Sequence, residues 1–234
     1  MSPPSQQREA RLALYGGLAL AVLGLLAIAA AALLPGVKET PLARWLLADT
    51  LAPARILPLI GLGFALPLID KPAMITSLLF SAFGVAVALL APDRLLALLD
   101  TIPKAATYLF FVGPISFLTA GATLVGGERS RTWLAPPAAL ILAAMAVLMI
   151  KMTDPSLHEP AYTWTPLIVA IWIVAAVALT LRAFRRPWLS IFARIFGSWL
   201  LAIGLLYGGS ALAPTKRDIG SPPLPTSDVP RPPP

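Results

Sequence analysis

Long apolar runs separated by short polar segments set the pattern of this chain. Seven runs are candidates for membrane-spanning helices, because a helix needs about 20 mostly apolar residues to cross a hydrocarbon core about 30 Å thick. Their predicted bounds are 12–34, 53–70, 72–91, 105–125, 133–151, 163–182 and 188–212. The pattern therefore predicts an all-α fold, a polytopic transmembrane helical bundle of about seven spans over residues 12–212.

The second run, 53–70, is the weakest candidate. It holds two prolines, and the uncharged stretch between Arg55 and Asp70 would measure only about 21 Å as a helix. It can cross the membrane if Arg55 extends its side chain to the lipid headgroups, or if residues 52–54 join the span. The alternative is six spans plus a re-entrant segment.

Four segments outside the spans have patterns of their own. Near 41–52 and 93–104, Leu and Ala are spaced among charged residues in an amphipathic way, which predicts helices lying in the membrane interface. Residues 1–11 predict a short cytoplasmic N-terminus. Residues 213–234 are rich in proline and cannot build a core, so they predict a disordered tail.

The first run also has features of a secretory signal. Its apolar stretch exceeds the roughly 7–15 residues of a signal peptide's apolar region, so we interpret it as a retained anchor. Cleavage near its end, at AIAAAALLPG, is the alternative.

The composition agrees with a membrane protein and limits its partners. Of the 234 residues, 58% are hydrophobic and 12% are charged, about half the charged fraction of a soluble domain. The net charge of +7 comes from basic residues that flank the spans, so no nucleic-acid partner is expected. The expected partners are the lipid bilayer and either other membrane proteins or further copies of the chain. The abundance of Ala, Leu, Pro and Arg is typical of bacteria, which predicts an inner (plasma) membrane location.

The distribution of basic residues predicts the orientation. With the N-terminus inside, the 18 Lys and Arg residues divide equally between the two sides. Those on the inner side are concentrated in very short loops and near span ends, where the positive-inside bias is counted. We therefore predict a cytoplasmic N-terminus and an external C-terminus.

Residues that bind metals or cofactors are scarce. The chain has no cysteine and a single histidine, His158, which excludes Cys-ligated metals and a haem held by two histidines of one chain. Met145, Met149 and Met152 are spaced to ligate a soft metal ion, but packing of thioethers among apolar residues explains them equally well and is favoured. No metal site or cofactor is predicted.

Serines within the predicted spans have no histidine or carboxylate close in sequence, so no nucleophile–base pair can be assigned. The sequence therefore assigns no catalytic residue and does not favour enzymatic activity. An acid from an outer loop, such as Asp93 or Glu159, packed against such a serine would change this interpretation.

Two predicted spans carry hydroxyl side chains along one face. In the fourth run these residues recur at helical spacing around a proline, which frees one backbone carbonyl from its hydrogen bond. In the third run two serines also recur at helical spacing. Together they define a candidate polar path, formed by Tyr108, Pro114, Ser116, Thr119, Thr123, Ser77 and Ser81. Packing between helices is the alternative and is favoured, because small and hydroxyl residues let helices approach closely.

Glycines and one arginine mark two further features. Glycines at helical spacing predict close helix packing in the first and last spans. They are Gly17, Gly24, Gly197, Gly204 and Gly208. Arg194 lies about six residues, or ~9 Å, inside the seventh run. We interpret it as a boundary charge that reaches the headgroups or pairs with Asp70 or Glu128. Contact with a substrate anion is the alternative.

Two stretches resemble known families. ARIFGSWLLAIGLL, residues 193–206, resembles the last span of the hydrogenase/urease accessory permeases, which implies nickel transport. The histidine-bearing early motifs of that family have no counterpart here, so nickel transport is not inferred. DTLAPARILPLIGLGFAL with GPIS resembles membrane acyltransferases of the glucan-succinylating type, but these need a histidine within an early span. No family is assigned.

Three functions are compatible with these patterns. An accessory or assembly component of a membrane complex is favoured by the small-residue seams, the lack of charge near the predicted bilayer centre and the proline-rich tail. A permease for a small uncharged or weakly polar solute is the alternative, supported by the hydroxyl faces. A lipid-modifying membrane transferase is the third, and it lacks an identifiable base.

Overall fold

Helices form all of the regular structure in the part of the chain that is described. The computed structural model describes residues 4–100, 108–156, 159–183 and 187–212, and these ranges contain no strand. The helices are α1 Pro4–Leu33, α2 Pro35–Lys38, α3 Pro41–Trp45, α4 Pro53–Ala65, α5 Lys71–Leu90, α6 Pro92–Asp100, α7 Tyr108–Val125, α8 Glu128–Thr153, α9 Pro160–Ala183 and α10 Pro187–Leu212. A π-helical turn, Leu46–Thr50, continues α3, and a 3-10 turn, Leu66–Leu68, continues α4. The predicted tail, 213–234, and His158 lie outside the described residues.

Proline begins several of the short helices that follow α1. It occupies a first-turn position in α2, α3 and α4, where its missing N–H breaks no hydrogen bond and its fixed φ suits the helix. Thr40 also caps α3, because its hydroxyl accepts a hydrogen bond from the Ala43 N–H at 3.3 Å. The chain between α1 and α5 is consequently divided into short helices.

Seven of the described helices run back and forth between two ends of the molecule. Arg55, at the start of α4, hydrogen-bonds Thr153 at the end of α8, and these residues define the Arg55 end. Arg131, near the start of α8, hydrogen-bonds the last turn of α7 and defines the Arg131 end. Helices α1, α5, α8 and α10 run toward the Arg55 end, and α4, α7 and α9 run toward the Arg131 end.

Helix α8 is central and α1 is peripheral. In the most apolar window of α8, 56% of the residues are buried, compared with 6% in α1. The largest core cluster lies where α4, α7, α8 and α10 meet. Its buried members are Leu62, Ala65, Phe117, Ala120, Leu124, Ala139, Leu142, Ala193 and Leu200. Helix α1 packs against α9 and stays outside this core.

The predicted glycines lie at two helix contacts. In α10, a Cβ on Gly197 would lie 2.6 Å from the Leu124 Cβ of α7, and one on Gly204 would lie 2.9 Å from another α7 side chain. Gly208 has more room, since its nearest neighbour would be 3.7 Å away. In α1, Gly17 and Gly24 both face α9, where an added Cβ would meet Thr180 and Trp172. Larger residues at the close positions, Gly17, Gly24, Gly197 and Gly204, would therefore push the paired helices apart.

By length and hydropathy, five of the described helices can each cross a membrane. They are Leu14–Leu33, Lys71–Leu90, Glu128–Thr153, Pro160–Arg182 and Trp188–Ser210. The segments Pro41–Thr50 and Pro53–Leu68, bent by 65°, provide a sixth if the pair counts as one broken span. In α7 the apolar stretch whose side chains are described, Val112–Val125, is by itself shorter than a span. These helices indicate a multi-pass membrane protein, and the predicted count of seven spans stays a prediction.

The predicted interfacial segments, 41–52 and 93–104, coincide with helical structure. The first is helical over Pro41–Thr50, and the second over its part within Pro92–Asp100. Leu46 and Thr50 in the first are buried, with 8% and 6% of their surface exposed. This segment therefore packs into the Arg55 end of the bundle, where it contributes to the site described next.

Candidate functional site

A charged cluster lies largely buried at the Arg55 end of the bundle. The Arg55 Nη2 atom forms an ion pair with the Asp49 carboxylate and donates a hydrogen bond to Thr153 Oγ1 at 2.7 Å. Thr153 Oγ1 lies 2.9 Å from the same carboxylate. The side chains of Arg55 and Asp49 are 9% and 30% exposed. These three residues are here called the Arg55 cluster, in which the opposite charges of Arg55 and Asp49 neutralise each other.

Breaks in helical structure bring the Arg55 cluster together. The 65° bend between Pro41–Thr50 and Pro53–Leu68 lets Asp49 and Arg55, on either side of it, face each other. Trp45 fixes the position of the third member, because its Nε1 donates to the Thr153 carbonyl at 3.0 Å. The Trp45 ring also packs against Tyr162 at the start of α9, with centroids 5.3 Å apart. Four segments of the chain thus converge on one site.

A small cleft, the first cleft, opens beside this cluster among α4, α7, α8 and α9. It has about 40 Å³ of free volume, and its lining includes Thr50, Arg55, Ser116, Met145 and Met149. Among the described residues, Thr50 Oγ1 and Arg55 Nη1 are buried without a hydrogen-bond partner. A buried polar group left unpaired costs about 1–3 kcal/mol. Both atoms therefore favour a bound molecule that can form hydrogen bonds.

A larger apolar cleft, the second cleft, lies between α5 and α9. It has about 370 Å³ of free volume. Its walls are Met74, Leu78, Ser81 and Val85 of α5, and residues of α9 from Leu167 to Arg182. Helices α4 and α8 form its floor. The second cleft therefore reaches toward the Arg131 end, where α9 terminates.

The two clefts adjoin each other. Leu59 of α4, Ala146 of α8 and Ala170 of α9 line both of them. This common wall consists of one leucine and two alanines. The first cleft, near the Arg55 end, and the second cleft, directed toward the Arg131 end, are therefore separated by these three side chains.

The predicted hydroxyl residues of α7 form hydrogen bonds mainly within their own helix. Ser116, Thr119 and Thr123 donate to the carbonyls of Val112, Ile115 and Thr119 at 2.6–2.8 Å. Ser116 also lines the first cleft. Pro114 is buried within α7. Of Tyr108 only the backbone is described, as the first residue of the helix.

The predicted serines of α5 lie elsewhere. Ser77 is fully buried and donates to the Ala73 carbonyl at 2.8 Å. Ser81 faces α8, with its hydroxyl 3.4 Å from the Ala139 carbonyl, and it also lines the second cleft. Ser81 and Ser116 therefore open on different clefts, and the hydroxyls of α5 and α7 are not joined into one continuous face.

The Arg131 end holds two arginines in different environments. Arg131 is 2% exposed, and its Nη2 donates to the carbonyls of Leu124 and Gly126 at 3.0 and 3.1 Å. Arg194 is exposed, and the described residues contain no ion pair between it and Asp70 or Glu128. The predicted pairing is therefore absent, and the alternative left for Arg194 at the membrane boundary is contact with headgroups or an anion.

The described residues form no metal site, and the serine among them that hydrogen-bonds a carboxylate, Ser156 with Asp154 at 2.6 Å, lies in the loop after α8 and not within a helix. No three His, Asp or Glu side chains converge in the described part of the chain. Asp93 and Glu159, the acids that sequence analysis considered as partners for an intramembrane serine, are exposed. Met145 packs in an apolar cluster with Leu99 and Val112, and Met149 and Met152 pack against this cluster. Met145 and Met149 also line the first cleft.

Comparison with known proteins adds no family to this description. Neither the models of protein families, nor the curated proteins, nor the solved structures gave a match. The functional interpretation therefore rests on the geometry of the clefts and of the Arg55 cluster.

Sequence reasoning did not identify the Arg55 cluster. It assigned Asp49 to an interfacial helix, and Arg55 to the edge of a span from which its side chain extends to the headgroups. One signal was present in the sequence ADTLAPAR, residues 48–55, where an acid and an arginine flank a proline that breaks the helix. Thr153 lies nearly a hundred residues away, and no pattern in the sequence links it to them.

Proposed function

We propose that the chain is a permease for a small uncharged or weakly polar solute, with the first cleft as its binding site. The observation that carries this proposal is the pair of buried atoms, Thr50 Oγ1 and Arg55 Nη1, that have no partner among the described residues beside a cleft within the bundle. A concave, mostly apolar pocket with a few convergent polar groups is the usual form of a small-molecule site.

The charge of the Arg55 cluster supports an uncharged solute. Asp49 neutralises Arg55, so the cleft offers hydrogen-bond donors without a net charge that would attract an ion. A buried isolated charge is costly, whereas a neutral molecule with a carbonyl or hydroxyl oxygen can satisfy the free donors at little desolvation cost. The small volume of about 40 Å³ restricts the first cleft to a molecule or group of a few atoms.

The common wall between the clefts supports a path across the bundle. Pro58 in α4 and Pro166 in α9 both line the first cleft, and each removes a backbone hydrogen bond from its helix. Helices bend most readily at such positions. A small change in the bend of α4 or α9 would move Leu59 or Ala170 and join the two clefts.

An osmotic swelling assay tests the proposal. Proteoliposomes containing the protein should swell faster than empty liposomes in gradients of urea or glycerol. Ala146→Leu, which thickens the common wall, should reduce this rate toward background. Ala82→Leu is the matched control, because Ala82 lies exposed on α5 outside both clefts. Equal rates for protein-containing and empty liposomes with every small neutral solute tried would reject the permease.

An accessory or assembly component of a membrane complex is the second candidate, and the position of α1 favours it. Helix α1 packs against α9 while many of its apolar side chains, among them Leu23 and Leu26, are at least 60% exposed. Such a face suits a helix of another subunit or of a second copy. Purification from the native membrane in mild detergent distinguishes the candidates: a stoichiometric partner supports an accessory subunit, and a lone or self-associated chain supports the permease.

The proposed setting is a bacterial inner membrane with the N-terminus in the cytoplasm. In this orientation the Arg55 end and the first cleft face outward, and the Arg131 end with Arg131, Arg182 and Arg194 faces the cytoplasm, in line with the positive-inside rule. A reporter that is active only outside the cytoplasm, fused after residue 234, should be active. An inactive reporter would place the C-terminus inside, through either a reversed orientation or an even number of spans.

A further inference from the structure

The second cleft has the form of a lipid-binding groove. Its two rims are exposed apolar side chains, Leu78 on α5 and Ile171 on α9, which are 50% and 59% exposed. These rims lie in helices that can each cross a membrane. The groove between them is therefore open to the hydrocarbon of the bilayer and not to water.

Small side chains keep the groove empty of protein atoms. Ala143 and Ala146 of α8 and Ala175 and Ala178 of α9 line it. Helix α5 packs mainly against α8, whereas α9 packs mainly against α1 and α4, so neither fills the space between them. The free volume of about 370 Å³ lies within the range of roughly 300–1,000 Å³ typical of ligand pockets.

An arginine lies at one end of the groove. Arg182, in the last turn of α9, is half-buried and lines the second cleft. Its Nη1 lies 4.0 Å from the Met74 sulfur, a weak acceptor. The described residues contain no ion pair with Arg182. Its positive charge at the membrane boundary is therefore available to an anion from the lipid layer.

We propose that the second cleft binds one anionic phospholipid, with an acyl chain along the groove and the headgroup phosphate against Arg182. The occupant must be apolar along the groove and negatively charged at the Arg182 end. Anionic phospholipids combine these two properties, and basic pockets between membrane helices on the cytoplasmic side bind such headgroups. Binding at this site requires neither transport nor the Arg55 cluster, so it is tested separately from the permease, although the second cleft also lies on the proposed solute path.

Native mass spectrometry with two lipids of identical acyl chains tests the headgroup contact. The delipidated protein is titrated with phosphatidylglycerol, which is anionic, and with phosphatidylcholine, which is zwitterionic. The wild type should bind one phosphatidylglycerol more tightly. Arg182→Gln should weaken phosphatidylglycerol binding about fivefold, as expected for the loss of one basic contact with an anionic lipid. Arg182→Lys should retain most of the affinity.

Arg129→Gln is the matched control, because Arg129 is exposed at the same end of the bundle and does not line the second cleft. It should leave the affinity unchanged. Equal binding of the two lipids by the wild type would overturn the proposal. An equal loss of affinity in Arg129→Gln and Arg182→Gln would also overturn it, since the anion would then be held by general surface charge.

A second variant tests the acyl chain separately. Ala175→Phe places a ring in the groove and should lower the affinity for both lipids, whereas Ala82→Phe on the exposed side of α5 should not. An unchanged affinity of Ala175→Phe for phosphatidylglycerol would show that the lipid's acyl chain does not lie in the groove. None of these measurements involves solute movement, so failure of the lipid site and failure of the permease are distinguishable.

Discussion

Asp49 and Arg55 form an ion pair across the bend between the π-helical turn and α4. The pair joins two chain segments that point in different directions, and Thr153 links both to the end of α8. Arg55 is largely buried, so its charge is stabilised mainly by this partner and little by water. Removal of one partner of a buried ion pair typically costs about 3–5 kcal/mol, because the other charge is left uncompensated.

The variant Asp49→Asn is expected to destabilise the protein by about 2–4 kcal/mol, toward the lower part of that range because Asp49 is partly exposed. Thermal unfolding in detergent should show a lower Tm. Asp93→Asn, which changes an exposed acid of α6, is the control and should leave Tm unchanged. Arg55→Met added to Asp49→Asn should recover part of the loss. A stable single variant would show that the pair contributes no stability.

Thr153→Val removes the hydroxyl that contacts both charges while keeping the size of the side chain. Its contacts at 2.7 and 2.9 Å predict a loss of about 1.5–3 kcal/mol, since hydrogen bonds to charged groups lie in this range. Thr132→Val is the control: the Thr132 hydroxyl, near the start of the same helix, bonds only the Glu128 carbonyl at 3.0 Å. Chemical unfolding curves should separate the two variants. Similar curves would exclude a special role for Thr153.

The sequence predicts the long helices of this protein well, because a long apolar run marks each of them. Apolar runs locate α1, α5, α8, α9 and α10, and all five have the length and hydropathy of a membrane span. The number of spans is harder to predict. It depends on whether Pro41–Thr50 and Pro53–Leu68, which meet at a bend of 65°, count as one broken span, and no local pattern in the sequence records that bend.

The candidate site depends on contacts that no local pattern records. Ser116 was predicted from its helical spacing and does line the first cleft. Arg55 was recognised as a charge at a span edge, but its direction, into the bundle, follows from the position of Asp49 beyond the bend. The predicted pairing of Arg194 is likewise not formed: Asp70 and Glu128, at the starts of α5 and α8, are both exposed, and neither is in an ion pair with it.

Arg131→Met tests the capping of α7 by a buried arginine. Arg131 supplies hydrogen bonds to the carbonyls of Leu124 and Gly126, which have no further helical turn to pair with. Methionine keeps the apolar stem and loses both bonds, so we expect a loss of about 2–3 kcal/mol. Hydrogen exchange should rise in peptides covering 120–127. Arg129→Met, at an exposed neighbour, should not change it. Equal exchange in the two variants would contradict the capping role.

Gly24→Leu tests whether α1 is attached to the bundle through its glycine face. A Cβ on Gly24 would overlap the Trp172 ring, whose Nε1 donates to the Leu20 carbonyl at 2.7 Å. The larger side chain must push α1 from α9 and break this bond, at a cost of about 1–3 kcal/mol for overpacking. Gly16→Leu is the matched control in the same helix, because nothing lies within 4 Å of its Cβ position.

Because α1 contributes little to the core, Gly24→Leu should release this helix while the rest of the bundle stays folded. Hydrogen exchange and limited proteolysis in detergent should therefore increase in α1 and remain unchanged in α8. Gly16→Leu should match the wild type in both helices. Normal protection of α1 in Gly24→Leu would mean that Trp172 turns aside to accommodate the leucine. The close approach of α1 and α9 would then not be what holds the first helix in place.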